Sequence, residues 1–155
     1  DRVAWYQPWG IDWVLGVDGI SLPMVALTTL FVPIALAAST SITTRGKEFV
    51  VYTLLLEAGL VGAFLALDLF LFFVFFEIVL VPMYFMIGVW GDKSMRRIPG
   101  FGGEIPTRLY AAIKFFLFTL FGSALMIVSF IAVGIVAYDF DNNFVANFEF
   151  IDYER

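Results

Sequence analysis

Three ionisable side chains interrupt long apolar runs in this 155-residue chain: Glu57, Glu77 and Lys114. A charge at the centre of a bilayer costs at least about 2.5–3.5 kcal/mol by insertion scales, so such residues face a polar interior and mark ion or proton paths. Glu77 is the most demanding of the three. It splits the run Leu69 to Pro82, LFLFFVFF-E-IVLVP, and no sequence neighbour can neutralise it. Burial favours the neutral form of a carboxyl and a nearby cation favours the charged form. A group balanced between the two gains and loses a proton near neutral pH, which is the chemistry of a proton relay. Pro82 adds a polar feature one residue on, because it leaves the Ile78 carbonyl free to hold a water. The competing reading is a protonated carboxyl that only hydrogen-bonds between helices. Asp68 reads either as a solvated turn residue or as a helix N-cap that draws protons to an outer mouth.

The elements that position these groups are membrane spans. Of the residues, 61% are hydrophobic and 15% charged, and the mean hydropathy is +0.93, an excess of apolar residues that marks a membrane protein. About 20 apolar residues cross a bilayer as a helix. The sequence predicts an all-α, polytopic transmembrane helix bundle of about four spans, at 20–38, 50–67, 69–90 and 110–138. Phe49 to Trp90 would be about 63 Å as one helix, twice the bilayer, so it must reverse, and Asp68 is the only charge near its middle. Residues 91–108 read as a polar loop with Pro99 and Pro106, and residues 139–155 as an acidic tail outside the membrane. The whole, 1–155, reads as one membrane domain.

Six of the nine basic residues lie in the two loops at 40–48 and 91–109: Arg45, Lys47, Lys93, Arg96, Arg97 and Arg108. Those loops are therefore expected on the cytoplasmic or matrix side, with both chain ends opposite. Counting from that side, Lys114 is expected at about 6–9 Å, Glu57 at about 11 Å and Glu77 at about 20 Å. Lys114 should then snorkel or approach Glu57, and miss Glu77. The cation that would balance Glu77 is not visible in the sequence.

There is no Cys and no His, which removes thiolate-held iron–sulfur clusters, His-ligated haem, Cys or His zinc sites and any Cys or His catalyst. No cofactor or metal is expected on this chain. No basic cluster is long enough to track nucleic-acid phosphates. The opening residues, DRVAW, do not read as a signal peptide.

Residues 15–23 (LGVDGISLP) with Leu27-Thr28-Thr29 resemble the start of the third helix of the antiporter-like subunits of respiratory complex I. Residues 67–91 (LDLFLFFVFFEIVLVPMYFMIGVWG) are similar to the fifth helix. Residues 109–119 (LYAAIKFFLFT), with Gly122-Ser123, are similar to the start of the sixth. The chain-M branch of that family is the most similar. The resemblance implies a larger bundle of about 14 helices built from inverted repeats, with a polar axis of charged residues at mid-membrane. It implies that Glu77 is the family's glutamate on the fifth helix, paired with a lysine on a seventh helix beyond Arg155. Glu57 and Lys114 are weaker candidates for the same axis. The implied function is proton translocation in the membrane arm of an NADH:quinone oxidoreductase. NADH, FMN, iron–sulfur clusters and quinone would belong to other subunits. The implied partners are other membrane-arm subunits, the lipid bilayer and protons, in a bacterial inner or a mitochondrial inner membrane. Two alternatives stay open: a cation/proton antiporter or membrane-bound hydrogenase subunit of the same superfamily, and a structural scaffold with no ion path.

Overall fold

Four helices, each packed on the next in chain order, form the frame of the computed structural model, which describes residues 2–6, 11–97 and 104–141. They are α1 (Ser21–Ala38), α2 (Gly46–Leu65), α3 (Leu69–Trp90) and α4 (Thr107–Asp141). At 1.5 Å per residue α1 to α3 measure about 27, 30 and 33 Å, matched to a hydrocarbon core of about 30 Å. In α4 the membrane-crossing stretch is Thr107–Val133. The fold is thus the expected four-span bundle. Its fourth helix starts three residues earlier than 110 and runs on to Asp141, so the first residues of the expected acidic tail are helical. Residues 142–155 lie outside the described residues. Both α1 and α3 continue through their interior prolines, Pro33 and Pro82.

Two short antiparallel ribbons complete the chain where the sequence suggested no regular structure. β1 (Arg2–Tyr6) pairs with β2 (Ile11–Val14), with a register shift between Ala4 and Tyr6. β3 (Met95–Arg97) pairs with β4 (Glu104–Pro106) inside the basic loop. The second ribbon leads straight into α4, where the Thr107 and Arg108 N–H groups donate to Ser94 O (2.8 Å) and Asp92 O (3.1 Å). Two N–H groups that a helix start leaves without intrahelical partners are thereby satisfied.

The packing between α2 and α3 depends on small residues. Gly59 and Gly62 are buried, and a methyl group at Gly59 would come within 2.7 Å of Val79 Cγ2. Backbones approach closely where such residues line the contact, as is common between membrane helices. Towards the basic end, Phe49 meets Trp90 edge-on at 5.4 Å and Tyr52 stacks on Phe85 at 5.4 Å. On the other flank of α3, Tyr84 meets Phe116 of α4 at 5.5 Å. Many large apolar side chains face outward, Phe118 being 81% exposed. In water that surface would be a liability, whereas lipid tails or further helices cover it without cost.

The helix starts are set by local chemistry. The Asp18 carboxylate accepts from Ser21 N (2.6 Å) and Ile20 N (2.8 Å), and Ser21 Oγ accepts from Asp18 N in return (2.8 Å). These bonds, the one from Ser21 N foremost, hold Asp18 below the usual carboxylate range. Arg45 precedes α2 in the left-handed region (φ 55°) and forms an ion pair with Glu48 in the first turn.

Candidate functional site

Glu77 lies eight residues into α3 and thirteen before Trp90, so about 12 Å and about 20 Å from the two ends. Its side chain is half-buried and faces the α4 flank of α3. There it lines a hollow of about 390 Å³ with Phe73, Val74, Ile78, Val81 and, from α4, Phe116. One carboxyl oxygen, Oε1, is fully buried and has no hydrogen-bond partner among the described residues. Pro82 is buried one turn further along and removes the N–H that would otherwise bond the Ile78 carbonyl. The hollow is otherwise lined by carbon. An orphaned carboxyl oxygen at this depth costs on the order of 1–3 kcal/mol, more if charged, unless a donor from outside the described residues reaches it.

Asp68 is fully buried, not solvated. Its expected role as N-cap holds: Oδ1 accepts from Phe70 N (2.8 Å) and Leu71 N (2.9 Å). The cover comes from the N-terminal segment. Val14 O accepts from Leu67 N (3.1 Å), Gly16 N donates to Leu65 O (2.9 Å), and Leu15 bridges Ala66. Trp13 also meets Phe75 edge-on at 5.9 Å. The backbone of the α2–α3 turn is thus satisfied by a strand laid across it, an arrangement that a tight reversal near a membrane face requires. Sequence reasoning missed this cover. The β-branched and aromatic residues of Arg2–Tyr6 and Ile11–Val14, either side of the turn-favouring Pro8-Trp9-Gly10, were the available signal.

Glu57 and Lys114 are not brought together. The side chain of Lys114 is exposed, with Nζ 5.8 Å from the centre of its own Tyr110 ring, and Glu57 is half-buried. Helix α3 stands between α2 and α4. Contacts across it set the levels: Tyr52 with Phe85 and Gly59 with Val79 on one side, Ala112 with Gly88 and Phe116 with Tyr84 on the other. Interpolating between these contacts, Glu57 is level with about residue 81 of α3 and Lys114 with about residue 86. Along the axis Glu57 is then about 6 Å from the level of Glu77, and Lys114 about 13 Å away. The expected pairing does not form among the described residues, because α3 stands between the helices that carry the two groups. Glu57 belongs nearer the level of Glu77 than that of Lys114. Lys114 also misses Glu77, as expected from its depth.

The four membrane-spanning helices define a multi-pass membrane protein, with Glu77 placed within the third of them. The chain belongs to the NADH:quinone oxidoreductase/Mrp antiporter transmembrane family, whose family model matches residues 66–151 and so includes Asp68, Glu77 and Lys114. It is 42% identical over 147 residues to NADH-quinone oxidoreductase subunit M of Rhodobacter capsulatus, covering 95% of this chain and 26% of that protein. It is 39% identical over 146 residues to subunit M of Rickettsia felis, covering 94% and 27%. Identity to NAD(P)H-quinone oxidoreductase chain 4 of Gloeobacter violaceus is 38% over 138 residues, covering 89% and 23%. The chain spans about a quarter of the length of the curated relatives it matches.

Proposed function

We propose that the chain is part of a proton-translocating subunit in the membrane arm of an NADH:quinone oxidoreductase, with Glu77 as the group that takes up and releases the proton. The observation that carries this reading is the buried Glu77 Oε1 within the span, with no hydrogen-bond partner among the described residues. In general, burial disfavours the charged form of a carboxyl and an approaching cation or ordered water favours it. Movement of that counter-charge, supplied by helices outside the described residues, converts a change in local field into uptake or release of a proton. The hollow on the α4 flank gives water or a neighbouring side chain room to reach Oε1.

Catalysis of NADH oxidation belongs in this reading to other subunits, which hold the FMN, the iron–sulfur clusters and the quinone. The other membrane-arm subunits are the partners, and the location is a bacterial inner or a mitochondrial inner membrane. Two features favour this reading over the alternatives. A scaffold carboxyl would be satisfied by the helices packed on it, and Oε1 has no hydrogen-bond partner among the described residues. The names of the relatives point to a quinone oxidoreductase and not to an independent antiporter. The test is Glu77→Gln in the full-length subunit, measured as NADH-driven acidification of membrane vesicles. Assembly and NADH oxidation by an artificial acceptor should persist while proton transport falls sharply. Full transport by the Gln variant would leave the scaffold reading as the better one.

A further inference from the structure

The geometry points to a second site at the basic end of the bundle, built to hold the phosphate headgroup of an anionic phospholipid. A hollow of about 410 Å³ opens there between the α1–α2 loop, the last turn of α3 and the first turn of α4. Arg45, Lys93 and Arg108 line it from three separate segments, with Thr43 and Thr44 also at its wall. Two bonds fix its frame: Trp90 Nε1 donates to Thr44 O (2.9 Å), and Arg108 Nη1 donates to Val89 O (2.9 Å). Trp90 stands at the helix end, the level where indole rings mark the headgroup region.

The charge balance favours an anion. Glu48 offsets Arg45 through their ion pair. Asp92, the nearest other acid in sequence, is turned onto Ser94, accepting from its N–H (3.0 Å) and its hydroxyl (2.5 Å), and does not line the hollow. Among the described residues Lys93 and Arg108 are left as net positive charge, and the remaining donors of the Arg108 guanidinium suit a phosphate. Basic hollows between helices on the cytoplasmic or matrix side are where anionic headgroups bind.

A second feature separates a lipid from a free anion. One to two turns deeper, between the same two helices, Val81 and Phe85 of α3 with Ile113 and Leu117 of α4 line an apolar hollow of about 370 Å³. A polar head site with an apolar groove below it matches the two ends of a phospholipid. The assignment rests on the membrane-spanning fold; the apolar hollow adjoins the one beside Glu77, with which it shares Val81 and Phe116.

The test uses the full-length subunit in its native assembly, reconstituted with a trace of phosphatidylglycerol that carries a photoreactive acyl chain. Labelling of the peptides that contain Phe85 or Leu117 is read by mass spectrometry. Near an anionic headgroup each basic residue is worth about fivefold, so Lys93→Gln with Arg108→Gln together should weaken labelling about twenty-five-fold. Excess unlabelled phosphatidylglycerol should displace the label, while phosphatidylcholine and inorganic phosphate should not. Because Arg108→Gln also removes the bond to Val89, Lys93→Gln alone should still lower labelling about fivefold. Unchanged labelling in the Lys93→Gln variant, or equal competition by phosphatidylcholine or by phosphate, would overturn the assignment.

Discussion

A methyl group added at Gly62 tests how tightly the Glu77 helix is held. The new Cβ would fall on the Phe75 ring, 2.7 Å from Cγ, with two further ring carbons closer still. Ordinary carbon contacts lie at about 3.5–4.0 Å. Either α2 and α3 separate by about 1 Å or the ring leaves its rotamer, and overpacking of this kind costs about 1–3 kcal/mol. Separation would also loosen the Tyr52–Phe85 stack and the Phe49–Trp90 contact further along the same seam. Gly62→Ala should therefore lower the thermal midpoint of the purified assembly, whereas Gly46→Ala, where a Cβ meets nothing within 4 Å, should be neutral or slightly stabilising. Shrinking the ring with Phe75→Leu should make Gly62→Ala less costly than it is beside the native Phe. Equal stability of Gly62→Ala and the native protein would refute the close seam, as would an equal cost in both backgrounds.

Asp68→Ala removes the acceptor of two helix-start N–H groups and should cost about 1–2 kcal/mol, while Asp68→Asn keeps most of the cap. Hydrogen exchange at Phe70 and Leu71 reads this directly, and unchanged exchange in the Ala variant would sink it. Asp18 gives a pH dependence at the start of α1. Its carboxyl is held below the ordinary aspartate value of 3.8 by bonds from Ser21 N and Ile20 N. The cap is therefore fully present above that value and is lost as pH falls through the lower, folded one. An NMR titration of the Asp18 carboxyl should show a midpoint below 3.8, and a midpoint at or above it would refute the cap.

The spans were legible because length and apolarity suffice to define a bilayer crossing, and the reversal was legible because Asp68 is the single charge between two apolar runs. The ribbon of β1 and β2 was not read, since each strand is short and its pairing is decided by a fold that lays it over a turn 50 residues away. The burial of Asp68 follows from that non-local contact and could not be read from the turn alone. The placement of Glu57 and Lys114 failed for a related reason. Depth can be counted along each span, but which helix stands between two others cannot, and α3 separates α2 from α4. The depth of Glu77 was legible, because it counts directly along the apolar run that contains it.

Whether Glu77 itself exchanges a proton is tested most directly by infrared difference spectroscopy of the full-length subunit in its assembly, with the spectrum taken between the resting and the NADH-reduced states. A carboxyl that gains or loses a proton contributes a C=O stretching band that a carboxylate lacks. The band should vanish in Glu77→Gln, persist with a shifted frequency in Glu77→Asp, and stay unchanged in Glu48→Gln, whose carboxylate is exposed and paired with Arg45. A difference spectrum of Glu77→Gln identical to the native one would show that Glu77 keeps one protonation state throughout, contradicting its role as the proton carrier.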